Sequence, residues 1–140
     1  MSITLDYIAF PLLVFTPVDT KNYPKIWKNG NYQVKMKLFN IIPFGKQYVG
    51  IEKLKDNDPN EFILRDNGTG DVIMQWDHWI LIKKTNENNQ VVKYIDRIDI
   101  KAGILTPFIF IFANIFYRWR QLRWKRLIKK SFKQLESCSA

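Results

Sequence analysis

The chain has 140 residues, of which 46% are hydrophobic and 25% charged, and its formal net charge at pH 7 is +9. This length and apolar content predict a single globular domain over 1–140 and exclude an intrinsically disordered or collagen-like chain. The lone cysteine, Cys138, excludes an internal disulfide. Together with the lack of a recognisable signal peptide, it predicts a soluble protein of a reducing, cytoplasmic compartment.

Short apolar segments separated by turn residues predict an antiparallel meander along most of the chain. Asn, Asp, Gly and Pro mark turns because they tolerate or favour turn backbone conformations, and they concentrate at 40–45, 56–60, 66–71 and 86–90. A first strand is expected within 3–16, and 17–30 has room for one or two helical turns. Five more strands are predicted at 31–40, 46–55, 61–66, 71–84 and 91–101.

The alternation of apolar and polar residues identifies the inward face of the last two strands. In both strands the even-numbered positions are predicted to face inward, including Trp76, His78 and Asp96. Because paired residues share a face, two registers are possible: one sets His78 opposite Asp96, and the other sets Ile80 there with His78 diagonal. In either register the only histidine lies close to a carboxylate. The pair is interpreted as a structural hydrogen bond, as a polar anchor in a cavity, or as an acid/base pair.

A long helix is predicted from Pro107 to about residue 135, with Thr106 as its N-cap. In its first half the side expected to cover the sheet carries Phe108, Phe112, Ile115, Phe116, Trp119 and Leu122. In its second half a rotated apolar strip is expected at Trp124, Leu127, Ile128 and Leu135.

Basic residues accumulate at the end of this helix. The segment 118–133 carries eight Lys and Arg and no acid, whereas 1–117 holds 14 basic and 12 acidic residues. A basic helical extension over about 118–136 is therefore predicted, with a solvated face as the simplest interpretation. Its predicted partner is an anionic membrane surface or a second copy of the chain. Nucleic acid is less favoured, because no reading module such as a helix-turn-helix precedes the segment.

Several short strings, taken in order, resemble the START-like helix-grip superfamily, also called SRPBCC or polyketide-cyclase-like, and its bacterial members in particular. They lie at 27–32, 43–45, 65–68, 76–78, 94–97, 102–106 and 116–124. The resemblance implies an α+β fold in which a curved antiparallel sheet of about six strands wraps around one long C-terminal helix, with an apolar cavity between them. Members usually carry two helices between the first two strands, and 17–30 is short for both, which implies a smaller or more open cavity.

We therefore expect a non-catalytic protein that binds or carries a small hydrophobic ligand in this cavity. The alternatives are a cyclase- or dehydratase-like acid/base enzyme using His78 and Asp96, and a protein that acts through its basic helix. No metal site or cofactor is predicted, since one histidine and one terminal cysteine are too few ligands for zinc. The predicted lining is Met36, Met74, Trp76, His78, Tyr94, Asp96, Phe112, Phe116 and Trp119.

Overall fold

A computed structural model of the protein describes residues 7–19, 28–54, 58–85, 91–131 and 133. Within these residues, six strands form one sheet in which each strand is antiparallel to its neighbour in the chain. The strands are β1 (Leu13–Pro17), β2 (Gly30–Leu38), β3 (Ile42–Leu54), β4 (Glu61–Gly70), β5 (Gln75–Lys84) and β6 (Val92–Lys101). The curved sheet stays open and packs against a long helix, α1 (Thr106–Lys129). The predicted α+β helix-grip architecture is confirmed. The predicted helical turns within 17–30 fall mostly outside the described residues.

The pairing of β5 with β6 follows the second of the two predicted registers. Ile80 lies opposite Asp96 and His78 lies opposite Ile98. The predicted inward face of β6 is also confirmed from Tyr94 onward, because the even-numbered residues Tyr94 to Ile100 are partly buried and the odd-numbered residues are exposed. Val92, at the start of the strand, is exposed although it was predicted to face inward. Since His78 is diagonal to Asp96, its ring reaches the carboxylate across the strand pair.

The turn predicted at 66–71 is wrong, because β4 continues to Gly70 and the chain turns at 71–74. Glycine is needed here for close packing rather than for a turn: a Cβ at Gly70 would lie 2.6 Å from the carbonyl oxygen of Lys46 and would collide with the Gln47 side chain. The later turn also breaks the alternation before β5. Met74, predicted to face inward, is 61% exposed as a result.

Helix α1 begins one residue before its predicted start and ends earlier than predicted. Thr106 is its first residue rather than its N-cap, and its hydroxyl closes the preceding 3-10 turn of Gly103–Leu105 by donating to the Gly103 carbonyl. Pro107 lies in the first turn, as predicted. The helix stops at Lys129 because Ser131 adopts a left-handed backbone with φ 48°. Leu135 lies outside the described residues.

The helix face that covers the sheet matches the predicted one only in part: Phe112 and Phe116 pack in the core as predicted. Phe108, which was expected to face the core, is 72% exposed, and Ile115 and Leu122 are exposed as well. The first half of α1 is apolar on almost every side, so periodicity alone could not select the inward face. The second half continues the same buried stripe without the predicted rotation. The buried residues of α1 are Ile109, Ala113, Phe116, Tyr117, Arg120 and Leu127.

Candidate functional site

A cavity of ≈ 280 Å³ lies between the sheet and α1. Its wall joins the two hydrophobic core clusters, one centred on β2 and β3 and the other on β1 and the middle of the helix. Polar groups are few in this wall, which is the usual composition of a site for an apolar ligand. The apolar residues of the wall include Phe15, Val34, Met36, Val49, Ile73, Trp76, Ile109, Phe112 and Phe116.

Five of the nine residues predicted to line a cavity lie in this wall: Met36, Trp76, His78, Phe112 and Phe116. The other four do not. Met74 is in the exposed turn before β5, and the indole N–H of Trp119 donates to the Phe10 carbonyl at 3.2 Å. Tyr94 and Asp96 belong to a buried polar cluster that is joined to the cavity through His78 and Arg120.

Asp96 is the centre of that cluster. Its Oδ1 lies 2.8 Å from His78 Nε2 and accepts hydrogen bonds from Arg120 Nη2 at 3.0 Å and from the Tyr94 hydroxyl at 3.0 Å. Its Oδ2 accepts from the Gln121 amide at 3.2 Å. The Asp96 and Arg120 side chains are only 4% and 7% exposed. A buried ion pair needs such partners, since removing two charges from water costs several kcal/mol per ion unless hydrogen bonds replace the lost solvation.

The pKa values of the pair follow from this geometry. Burial lowers the pKa of His78, and the hydrogen bond to Asp96 only partly offsets that effect. Burial acts in the opposite direction on Asp96, but the His78 hydrogen bond and the Arg120 charge together hold its pKa below the usual value. At pH 7 the imidazole is therefore neutral and the carboxylate charged, so Nε2 carries the proton and donates it. The remaining ring nitrogen, Nδ1, is then an acceptor. The acid/base alternative with His78 and Asp96 stays a prediction.

Asp66 is a cavity residue that the sequence analysis missed. It lies in the wall, directly opposite His78 in the β4–β5 register. Burial raises the pKa of Asp66 to about 7, although the Gly50 N–H and the Arg120 charge oppose this. The sequence did hold a signal for it. Alternate residues of a strand lie on the same face, so a predicted strand continued past residue 66 would have placed Asp66 on the inward face together with Leu64.

Arg120 is a second charged residue of the wall that was not predicted. Its burial lowers the number of exposed positive charges on the helix. Arg123 is also engaged: its guanidinium donates to the Tyr7 carbonyl at 2.8 Å and lies 4.0 Å from the centre of the Tyr7 ring. Of the eight basic residues in 118–133, six therefore stay exposed: Arg118, Lys125, Arg126, Lys129, Lys130 and Lys133.

The outward face of α1, defined here by Phe108, Ile111, Arg118, Leu122, Lys125 and Lys129, combines exposed apolar residues with exposed cations. No acidic residue occurs in the helix. The apolar members lie mainly in the first half and the cations in the second. No helix among the described residues is long and apolar enough to cross a lipid bilayer. An apolar patch beside a cluster of cations is typical of a surface that binds a partner.

Comparison of the chain with models of protein families, with curated proteins and with solved structures finds no match in any of the three. In the part of the chain that the structure describes, no three His, Cys, Asp or Glu side chains are grouped closely enough to hold a metal ion.

Proposed function

We propose that this protein binds and carries a small hydrophobic ligand, without catalysis, in the cavity between sheet and helix. The observation that supports this most directly is the apolar wall around ≈ 280 Å³ of space. Protein interiors are otherwise packed to crystal-like density, and an empty cavity of this size costs packing energy. A ligand bound in the cavity would restore the missing contacts. We also propose membership of the START-like superfamily, supported by the helix-grip architecture and by the sequence resemblance.

The size of the cavity favours a small ligand. Pockets for drug-sized molecules typically measure about 300–1,000 Å³, and this cavity lies just below that range. Phe108 and Tyr48 both line it and are exposed, so the wall reaches solvent beside the start of α1. A ligand is expected to enter there without unfolding of the sheet.

Native mass spectrometry of the protein purified from its own cells tests the proposal, with an adduct of small-molecule mass as the expected result. The variant Ile109→Phe enlarges a buried side chain in the wall and should reduce the adduct severalfold. Ile111→Phe makes the same change on the outward face of α1 and should leave the adduct unchanged. If no adduct appears and apolar probes do not stabilise the protein against heat, the cavity is not a carrier site.

A second candidate function is contact with an anionic lipid surface through the outward face of α1. It is supported by the combination of exposed Phe108, Ile111 and Leu122 with exposed cations on one acid-free helix. Apolar side chains enter the interface of a bilayer, while Lys and Arg are attracted by its negative charge. A symmetric dimer through the same face offers these cations no acidic partner, because α1 contains none, so the charge pattern favours lipid over a second copy. Binding to vesicles at low and high salt tests it.

A further inference from the structure

The carboxyl group of Asp66 is not fully hydrogen-bonded. Its Oδ1 is buried and has no hydrogen-bond partner among the described residues. Leaving a buried polar atom without a partner costs about 1–3 kcal/mol, and such atoms are rare in native proteins unless a ligand or water completes them. Asp66 lies in the cavity wall, where a bound molecule can supply the missing partner.

The other charges near the cavity are already paired. Asp96 neutralises Arg120, and the low pKa of His78 keeps its imidazole uncharged at pH 7. Asp77 is bound by Arg65, with contacts of 2.8 and 2.9 Å. Among the cavity-lining residues that the structure describes, Asp66 carries the only carboxyl group. A bound molecule therefore meets one acidic group in an otherwise apolar and charge-balanced wall.

We propose that Asp66 anchors the polar end of the cavity's ligand, which is a small apolar molecule whose head group donates a hydrogen bond, as an alcohol or an amine does. This inference rests on the proposed function, because it places the ligand in the same cavity. It goes further by naming the head-group chemistry and by excluding carboxylate ligands, which would oppose the Asp66 charge.

The protonation of Asp66 makes this selectivity depend on pH. The groups that act on it are Arg120 and Tyr117 from α1, His78 and the Asp77 charge from β5, and Gln47 with the Gly50 N–H from β3. With a pKa of about 7, the carboxyl is charged and can only accept a hydrogen bond well above that pH. Below it, the protonated carboxyl also donates. The requirement for a donor head group should therefore hold in alkaline solution and weaken in mildly acidic solution.

Calorimetric titration with matched probes tests this. Octanol and octyl methyl ether share an alkyl chain, but only octanol donates a hydrogen bond. Octylamine has a positively charged head group, octanoate has a negatively charged one, and octane has no head group. At about pH 8.5 octanol should bind about tenfold more tightly than the ether, and octanoate should be the weakest ligand. At about pH 5.5 the preference for octanol over the ether should shrink to about twofold or less. Octylamine separates the effect of charge from that of the donor.

The variant Asp66→Asn keeps the size of the side chain but adds an N–H donor, so it should lose most of the alkaline preference for octanol. Asp99→Asn, a matched change on the outer face of β6, should keep it. Circular dichroism and thermal unfolding show whether each variant is folded. If both the wild-type protein and Asp66→Asn bind octanol no more tightly than the ether, the proposed role of Asp66 is wrong while the cavity remains a carrier site. If none of the probes binds, including octane, the proposed function itself fails.

Discussion

Arg120 is a single charged residue that is buried in the core of the protein. The sequence around it is a run of basic residues, yet its guanidinium is buried against Asp96 and Tyr94 and packs 5.0 Å from the Tyr117 ring centre. Two of its contacts are thus with strand β6, which is distant in sequence but adjacent in the fold. The charge is tolerated because its partner is equally buried, and each ion would be costly without the other.

Arg120→Met should lower the free energy of unfolding by about 3–5 kcal/mol, because it leaves the Asp96 charge buried without its main cation. Urea denaturation at pH 7 measures this. Arg118→Met, an exposed change on the same helix, should cost less than about 0.5 kcal/mol. Adding Asp96→Asn to Arg120→Met should recover part of the loss.

Equal stability of Arg120→Met and Arg118→Met would contradict a stabilising role of the ion pair.

The stability that Asp96 contributes depends on pH with a defined sign. Because the pKa of Asp96 is lowered in the folded state, this contribution to the free energy of unfolding is present above the unfolded value of about 3.9 and is lost as the pH falls further.

At the scale of elements, the second half of α1 is part of the domain rather than a free appendage. Leu127 is fully buried although it lies within the basic segment, and it continues the stripe that starts at Ile109. The helix extends about 36 Å, so it reaches well beyond the cavity it covers. The basic segment is thus held in place by its inward face, which leaves the cations free on the outward face.

Leu127→Ala should therefore destabilise the whole domain by about 2–5 kcal/mol, as is typical for removal of a buried leucine side chain. The neighbouring Ile128 is 59% exposed, and Ile128→Ala should cost less than about 0.5 kcal/mol. Thermal and urea unfolding compare the two variants. If Leu127→Ala unfolds at the same denaturant concentration as wild type, the end of the helix does not contribute to the cooperative fold.

For the whole molecule, the main feature is the separation of charge between a nearly neutral sheet and a basic helix. The first 117 residues have a net charge of only +2, while six exposed cations lie in 118–133. Such an asymmetry orients a protein toward an anionic surface, and the attraction weakens when salt shortens the Debye length. The apolar half of the outward face lies next to the cavity opening, so a docked molecule would present that opening to lipid.

Vesicles containing phosphatidylserine should bind the protein at low salt, and binding should be largely lost at about 0.5 M salt. The triple variant Arg118→Gln, Lys125→Gln and Lys129→Gln should weaken binding about a hundredfold, because each cation near an anionic surface contributes about 1 kcal/mol. A matched variant with Lys84→Gln, Lys93→Gln and Lys101→Gln removes the same charge from exposed strand positions and should bind nearly as wild type. Equal loss in both variants, or no binding to anionic vesicles at low salt, would rule out a specific lipid-binding face.

The sheet and the start of the helix could be predicted from the sequence. A strand offers only two faces, so alternation identified the inward side of β6 and brought His78 to Asp96 in either register. Pro107 has one favourable position in a helix, and it marked the first turn correctly.

Other features were decided only by tertiary contacts. The inward face of α1 could not be chosen from a segment that is apolar on nearly every side, and it depended on which face brought Arg120 to Asp96. Gly70 belongs to a strand because the Lys46 carbonyl approaches it closely, whereas its local sequence is typical of a turn. Asp66 was missed for the same reason. Local sequence describes what a residue prefers by itself, but the burial and pairing of a charge depend on groups that are distant in the chain and meet only when the sheet curves around the helix.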